Sequence, residues 1–132
     1  MLRLVRRLLV ALLVALAGAG CGGGPSQEDE VRATVDAFGK ATAAKDYAKL
    51  CGQLLAPKLL EQVRSAGLSC EKALAQGLGA VRRPRLVVGR VTVDGESATA
   101  EVRTSASGQS PSRDTLKLTK IAGRWRIASL GS

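Results

Sequence analysis

Apolar positions recur along this chain with three different periods. From Leu8 to Ala19 they are almost continuous. From Val31 to about residue 80 they return every three or four residues, the spacing of one helix face. After Pro84 they alternate with polar residues, as on a half-buried strand. Ser26 is placed to cap the first helix, with Glu28, Asp29 and Glu30 in its first turn, where the helix dipole favours anions. Val31, Val35 and Phe38 define its apolar face, and Lys45 suits its end. Asp46 caps a short second helix with the stripe Tyr47, Leu50, Cys51, Leu54 and Leu55. Pro57 opens a third helix, carrying Leu59, Leu60 and Val63, which Gly67 terminates. Ser69 caps a fourth, with Ala73, Leu74 and Leu78 as its apolar positions.

The first strand is expected over Arg85 to Val93, with Gly89 marking a bulge and Asp94-Gly95 a hairpin turn. Ala98, Ala100 and Val102 form the inner face of the second strand. Residues 105–112 read as a polar loop of serines, glycine and proline. Leu116 and Leu118 belong to a third strand, Ala122-Gly123 turns the chain, and Trp125 and Ile127 belong to a fourth. Helices first and strands afterwards predict an α+β fold, with helices packed on one face of a four-stranded antiparallel meander.

The opening segment reads differently. Arg3, Arg6 and Arg7 precede the apolar run, and small residues follow it. A charged start, a short apolar core and a small-residue exit describe a secretory signal peptide, and the run is shorter than the ~20 residues of a membrane span. Two exits are open. Ala15-Leu16-Ala17 fits ordinary cleavage, whereas Gly18-Ala19-Gly20-Cys21 resembles a bacterial lipobox, in which the cysteine is acylated, for instance with palmitate, and becomes the first residue. Gly18 departs from the aliphatic residue usual there. Residues 1–20 are thus expected as a lipoprotein signal peptide, 21–26 as a glycine-rich tether and 27–132 as the folded domain. The product would be exported and held by lipid at the outer face of the cell membrane. Three cysteines leave one over; with Cys21 acylated, Cys51 and Cys70 remain as an expected structural disulfide. Their spacing is not Cys-x-x-Cys, and no imidazole completes a metal-ligand set.

Composition narrows the chemistry. Among 132 residues there is no histidine, and the aromatic set is Phe38, Tyr47 and Trp125. Histidine triads, histidine metal sites and stacking platforms for several bases are excluded. The charge is asymmetric: residues 21–81 carry seven basic and seven acidic side chains, whereas 82–132 carry ten basic and four acidic, a net of +6. Arg82, Arg83, Arg85, Arg124 and Arg126 are the main members of this basic set. One reading is a cationic surface for anionic envelope lipid, glycan or a partner protein; the other is the ordinary wet face of a sheet. Export argues against nucleic acid. Nothing in the chain calls for a metal or a cofactor.

The order of parts resembles the nuclear transport factor 2-like (SnoaL-like) superfamily: a lipobox-like exit, an amphipathic helix, Lys45-Asp46-Tyr47 opening a second helix, shorter helices, and a sheet ending in Gly123-Arg124-Trp125-Arg126-Ile127. It is similar to small actinobacterial lipoproteins of that type. The resemblance implies a cone-like fold with a curved sheet, and a binding module or an isomerase- or cyclase-like enzyme acting on an apolar ligand. In such enzymes Asp, His or Tyr point into the cone, which leaves Asp36 and Tyr47 as catalytic candidates. Asp36 lies off the apolar stripe and Tyr47 suits a wall between helix and sheet, so the expected role is non-catalytic binding. No strand is found between Leu55 and Val81, where the superfamily commonly inserts one, so a smaller or more closed pocket is expected. A cystatin-like helix on a four-stranded sheet is the competing picture.

Overall fold

A computed structural model describes residues 23–131. The expected signal peptide and Cys21 lie outside the described residues. The first helix, α1 (Gln27–Ala44), begins at Ser26. The Ser26 hydroxyl accepts from the Asp29 amide at 3.1 Å, and the Asp29 carboxylate accepts from the Ser26 amide at 3.3 Å. This reciprocal cap satisfies two of the orphan amides of the first turn. The helix ends at Lys45, whose left-handed backbone (φ 55°) returns its amide to the carbonyls of Ala41 and Thr42.

The second helix is shorter than its apolar stripe predicts. After α2 (Tyr47–Lys49) the chain widens into a π-helical turn over Leu50–Leu54. Leu55 then leaves the helix, extended, to bridge Ile127 in parallel, and the Ala56 amide donates to the Ile127 carbonyl at 2.7 Å. Two forces override the helical period here. Ala56 precedes Pro57 and is driven to extended backbone, and the sheet edge offers Leu55 a fully buried position. Helices α3 (Pro57–Ser65) and α4 (Cys70–Leu78) follow.

Strands β1 (Arg85–Asp94), β2 (Ser97–Ala106), β3 (Gln109–Ile121) and β4 (Arg124–Ser129) form one antiparallel sheet in the order β1-β2-β3-β4. The expected bulge is present: pairing with β2 slips between Val88 and Val91, around Gly89. The expected polar loop over 105–112 is not. Ser105 and Ala106 complete β2, and β3 starts at Gln109 after a two-residue turn. Pro111, which has no amide to give, falls in the register shift between Thr104 and Ala106. The polar side chains there reflect an end of the sheet that water reaches, not an absence of pairing. At the β3–β4 turn both Ala122 (φ 49°) and Gly123 (φ 78°) have positive φ, the backbone of a tight hairpin.

The core lies between α1 and the sheet. Val31 and Val35 are fully buried and share one core cluster with Val91, Ala100, Leu116, Leu118, Trp125 and Ile127. Each buried valine contributes about 1.5–3 kcal/mol. A second cluster, Ala41, Leu50 and Leu54, packs under Tyr47 and Leu74. A disulfide joins Cys51 to Cys70 with Cα atoms 6.0 Å apart, as the cysteine count anticipates. It ties the π turn to the start of α4. The helices and the sheet cover one another's apolar faces from within residues 23–131, which makes that stretch a self-sufficient folding unit.

Two stability measurements follow from these features. Replacing Cys51 and Cys70 by serine lowers unfolding free energy by about 3 kcal/mol, read from urea denaturation of the double variant against wild type. Ala122→Asn relieves the left-handed alanine and raises stability by about 1 kcal/mol in the same assay.

Candidate functional site

The two ends of α1 meet the sheet differently. At its N-terminal end, Gln27 Oε1 accepts from Lys120 Nζ at 2.8 Å and from Trp125 Nε1 at 3.3 Å. Lys120 also stands 3.8 Å from the Glu30 carboxylate and 5.7 Å from the centroid of the Trp125 ring. This end is closed. Toward the C-terminal end, Gly39 lets the helix approach β1: a Cβ there would stand 3.2 Å from Leu86 Cβ. Beyond that contact the helix and sheet diverge around a cup of about 430 Å³.

Phe38, Gly39 and Thr42 of α1 form one wall of the cup, and Leu74, Gly77 and Leu78 of α4 form another. Val102 and Leu116 supply the floor from β2 and β3. Leu130, 49% exposed, stands beside the opening. The lining is dominated by carbon. Its ionisable members are Arg85 and Asp114. Helix α4, whose start is tied by the disulfide to the π turn, supplies the second wall.

Asp114 is the polar feature that the sequence reading missed. It is half-buried and accepts from Ser112 Oγ at 3.0 Å; Ser112 and Thr104 hydroxyls are 2.8 Å apart. Its signal was its phase. On β3 it is two residues before Leu116 and four before Leu118, so the alternation places it on the inner face.

The two catalytic candidates lie elsewhere. Asp36 is exposed on α1 and does not line the cup. Tyr47 is half-buried against the Ala41–Leu50–Leu54 cluster, also outside the lining. The basic residues divide into two groups. Arg82, Arg83 and Arg85 lie together at the entry to β1: Arg85 lines the cup, Arg83 and Arg85 line a hollow adjoining it with Pro84 and Ser105, and Arg82 precedes them in the chain. Arg124 and Arg126 lie at β4, whose first residues pair with the far end of β3, on the order of 25 Å away along the strands. Arg124 is exposed there, whereas Arg126 is half-buried and its Nη1 donates to the Gly52 carbonyl at 3.4 Å. Arg126 therefore braces the π turn. Among the described residues, no cluster of carboxylates and cysteines has the arrangement of a metal site.

No protein-family model matches the chain, and no curated protein matches it in sequence. Solved structures do match in shape. The de novo designed NTF2 fold protein NT-9 aligns with a TM-score of 0.54 at 15% identity, over 80% of this chain and 87% of that one. The Kfla4162 protein of Kribbella flavida aligns at 0.53 and 20% identity, over 76% and 84%. A candidate dehydratase of the NTF2-like family from Streptomyces avermitilis aligns at 0.51 and 12% identity, over 74% and 88%. With four helices on a curved four-stranded antiparallel sheet and a cup between them, the chain has the NTF2-like fold.

Proposed function

We propose that this chain is an exported, lipid-anchored domain that binds an apolar small molecule in the cup without transforming it. The cup itself carries the reading. Its 430 Å³ falls within the 300–1,000 Å³ of ordinary ligand pockets, and its walls are carbon with a few polar groups near the mouth. Export is supported by the signal-peptide pattern over residues 1–20 and by the Cys51–Cys70 disulfide, a bond that persists in oxidising compartments. Anchoring at Cys21 is supported by the lipobox-like exit and the glycine tether that follows it.

A second reading, a small enzyme, draws on Asp114 in the cup wall and on the likeness to the candidate dehydratase. Binding is preferred because the lining offers one carboxylate and one guanidinium, and a guanidinium stays protonated at neutral pH and cannot serve as a base. Acid–base chemistry in the cup would rest on Asp114 alone.

Gly77 gives a direct test. It lines the cup one turn after Ala73 and Leu74, and a side chain added there meets open space. Gly77→Leu is expected to fill the cup while raising helix stability by up to about 1 kcal/mol. The neutral dye N-phenylnaphthylamine should brighten on wild-type protein and stay dark on the folded variant; equal brightening on both sinks the cup as the binding site. Mass spectrometry of the chain purified from its native membrane should find an acylated N-terminal Cys21, and Cys21→Ser should move the protein to the soluble fraction. An unmodified chain beginning at Gly18 ends the lipoprotein reading.

A further inference from the structure

The basic residues at the mouth are the feature that a purely apolar ligand leaves without a role. Arg82 and Arg83 are exposed and enter β1 through Pro84 and Arg85, both of which line the cup. The Arg82 carbonyl accepts the Ser107 amide at 2.9 Å, which fixes the arginine pair against the β2–β3 turn. Arg83 has φ 49°, a left-handed backbone in a residue that precedes proline, where extended backbone is the norm. Strain of this kind persists where the surroundings over-determine it, and it concentrates at ligand clamps. On the outer side of the same end, Arg103 and Arg113 are direct cross-strand partners, a like-charge pairing that opposes folding. Among the described residues the carboxylate–cation pair within 4.0 Å is Lys120–Glu30, at the opposite end of α1, so none of these five arginines makes a direct ion pair, although Glu101 and Asp114 stand at the same end as Arg103 and Arg113. Lys45 differs: its ammonium is engaged by the Gly79 carbonyl at 2.6 Å.

We infer that the cup receives a single-chain anionic amphiphile, its acyl chain among Phe38, Leu74, Val102 and Leu116 and its carboxylate or phosphate head at Arg82, Arg83 and Arg85. This rests on the reading of the cup as a binding site and adds the chemical class of the ligand. The volume admits one chain, being near the lower end of ligand pockets. The head must stay at the mouth, because a buried unpaired charge is costly, and guanidinium forks match carboxylate and phosphate oxygens two at a time. Asp114 is the carboxylate that opposes an anion in the cup. It stands on β3 beside Gly131, separated by strand β2 from Arg85 on β1.

The test uses residues 23–132 and displacement of bound N-phenylnaphthylamine. The competitors are laurate, lauroyl lysophosphatidate, dodecanol and dodecyltrimethylammonium, which share one chain length and differ in the head. Laurate or the lysophosphatidate should displace the dye more tightly than dodecanol, and the tighter of the two identifies the head. The triple variant Arg82→Gln, Arg83→Gln, Arg85→Gln should weaken the anionic competitors about tenfold and leave dodecanol unchanged. Wild-type protein provides an independent check: high salt should weaken the anions and not dodecanol. Anions and dodecanol binding equally well, at any salt, would overturn the head assignment and leave the cup reading intact. Tightest binding of dodecyltrimethylammonium would move the head to Asp114 and also overturn it. Failure of every amphiphile and of the dye would remove the cup reading itself.

Discussion

The architecture depends on how α1 lies on the sheet. Val31 and Val35 bury its first half in one cluster with Val91, Ala100 and Ile127, with no accessible surface left on either valine. That contact is apolar, and it outweighs the polar one above it. An exposed ion pair such as Lys120–Glu30 contributes at most about 1 kcal/mol, less than the burial of one valine. The Gln27 carbonyl, held by Lys120 and Trp125, sets the angle of the helix more than its stability. With one end fixed, the curvature of the sheet decides where the other end leaves it, and the gap becomes the cup.

The remaining helices keep that gap open. A domain of this size buries a modest share of its surface, and its core is built from leucine, valine and alanine with one isoleucine and one tryptophan. The π turn at Leu50–Leu54, the extended Leu55 against β4 and the disulfide hold α4 at a distance from β2 and β3. The covalent link to the π turn fixes where α4 begins, and Leu74 packs against the core beside the cup, so one element serves both stability and the shape of the site.

Charge follows the same axis. The end of α1 nearest its N-terminus carries Glu28, Asp29 and Glu30, with Asp94 and Glu96 at the neighbouring β1–β2 turn. That end also holds Lys120 and Arg124; the cup end carries Arg82, Arg83, Arg85, Arg103 and Arg113 against Glu101 and Asp114. The excess positive charge of the C-terminal half is thus not spread evenly over the wet face of the sheet. Arg82, Arg83 and Arg85 stand where β1 begins beside the cup, Arg103 and Arg113 on the outer side of the same end, and Arg126 has become part of the scaffold through Gly52.

The residues alone determined the elements whose cause is local. Ser26 with Asp29 makes a cap from three residues of separation, and Val31, Val35 and Phe38 repeat at helical spacing whatever they pack against. Gly95 turns the chain by its own backbone preference, one residue later than expected, since Asp94 still pairs with Ser97 and the turn is Gly95-Glu96; Ala98, Ala100 and Val102 alternate because successive strand side chains face opposite ways. What depended on distant partners was not readable in this way. Leu55 has the phase of a helix and is taken by Ile127; residues 105–112 have the composition of a loop and are paired by strands on either side of their turn. Asp114 showed its phase on β3, but its place in a cup, like the gathering of Arg82, Arg83 and Arg85 at the mouth and the distance of Asp36 and Tyr47 from it, came from the divergence of α1 from a curved sheet. A sequence specifies such a gap only through the sum of all its contacts, since empty space between elements has no residues of its own.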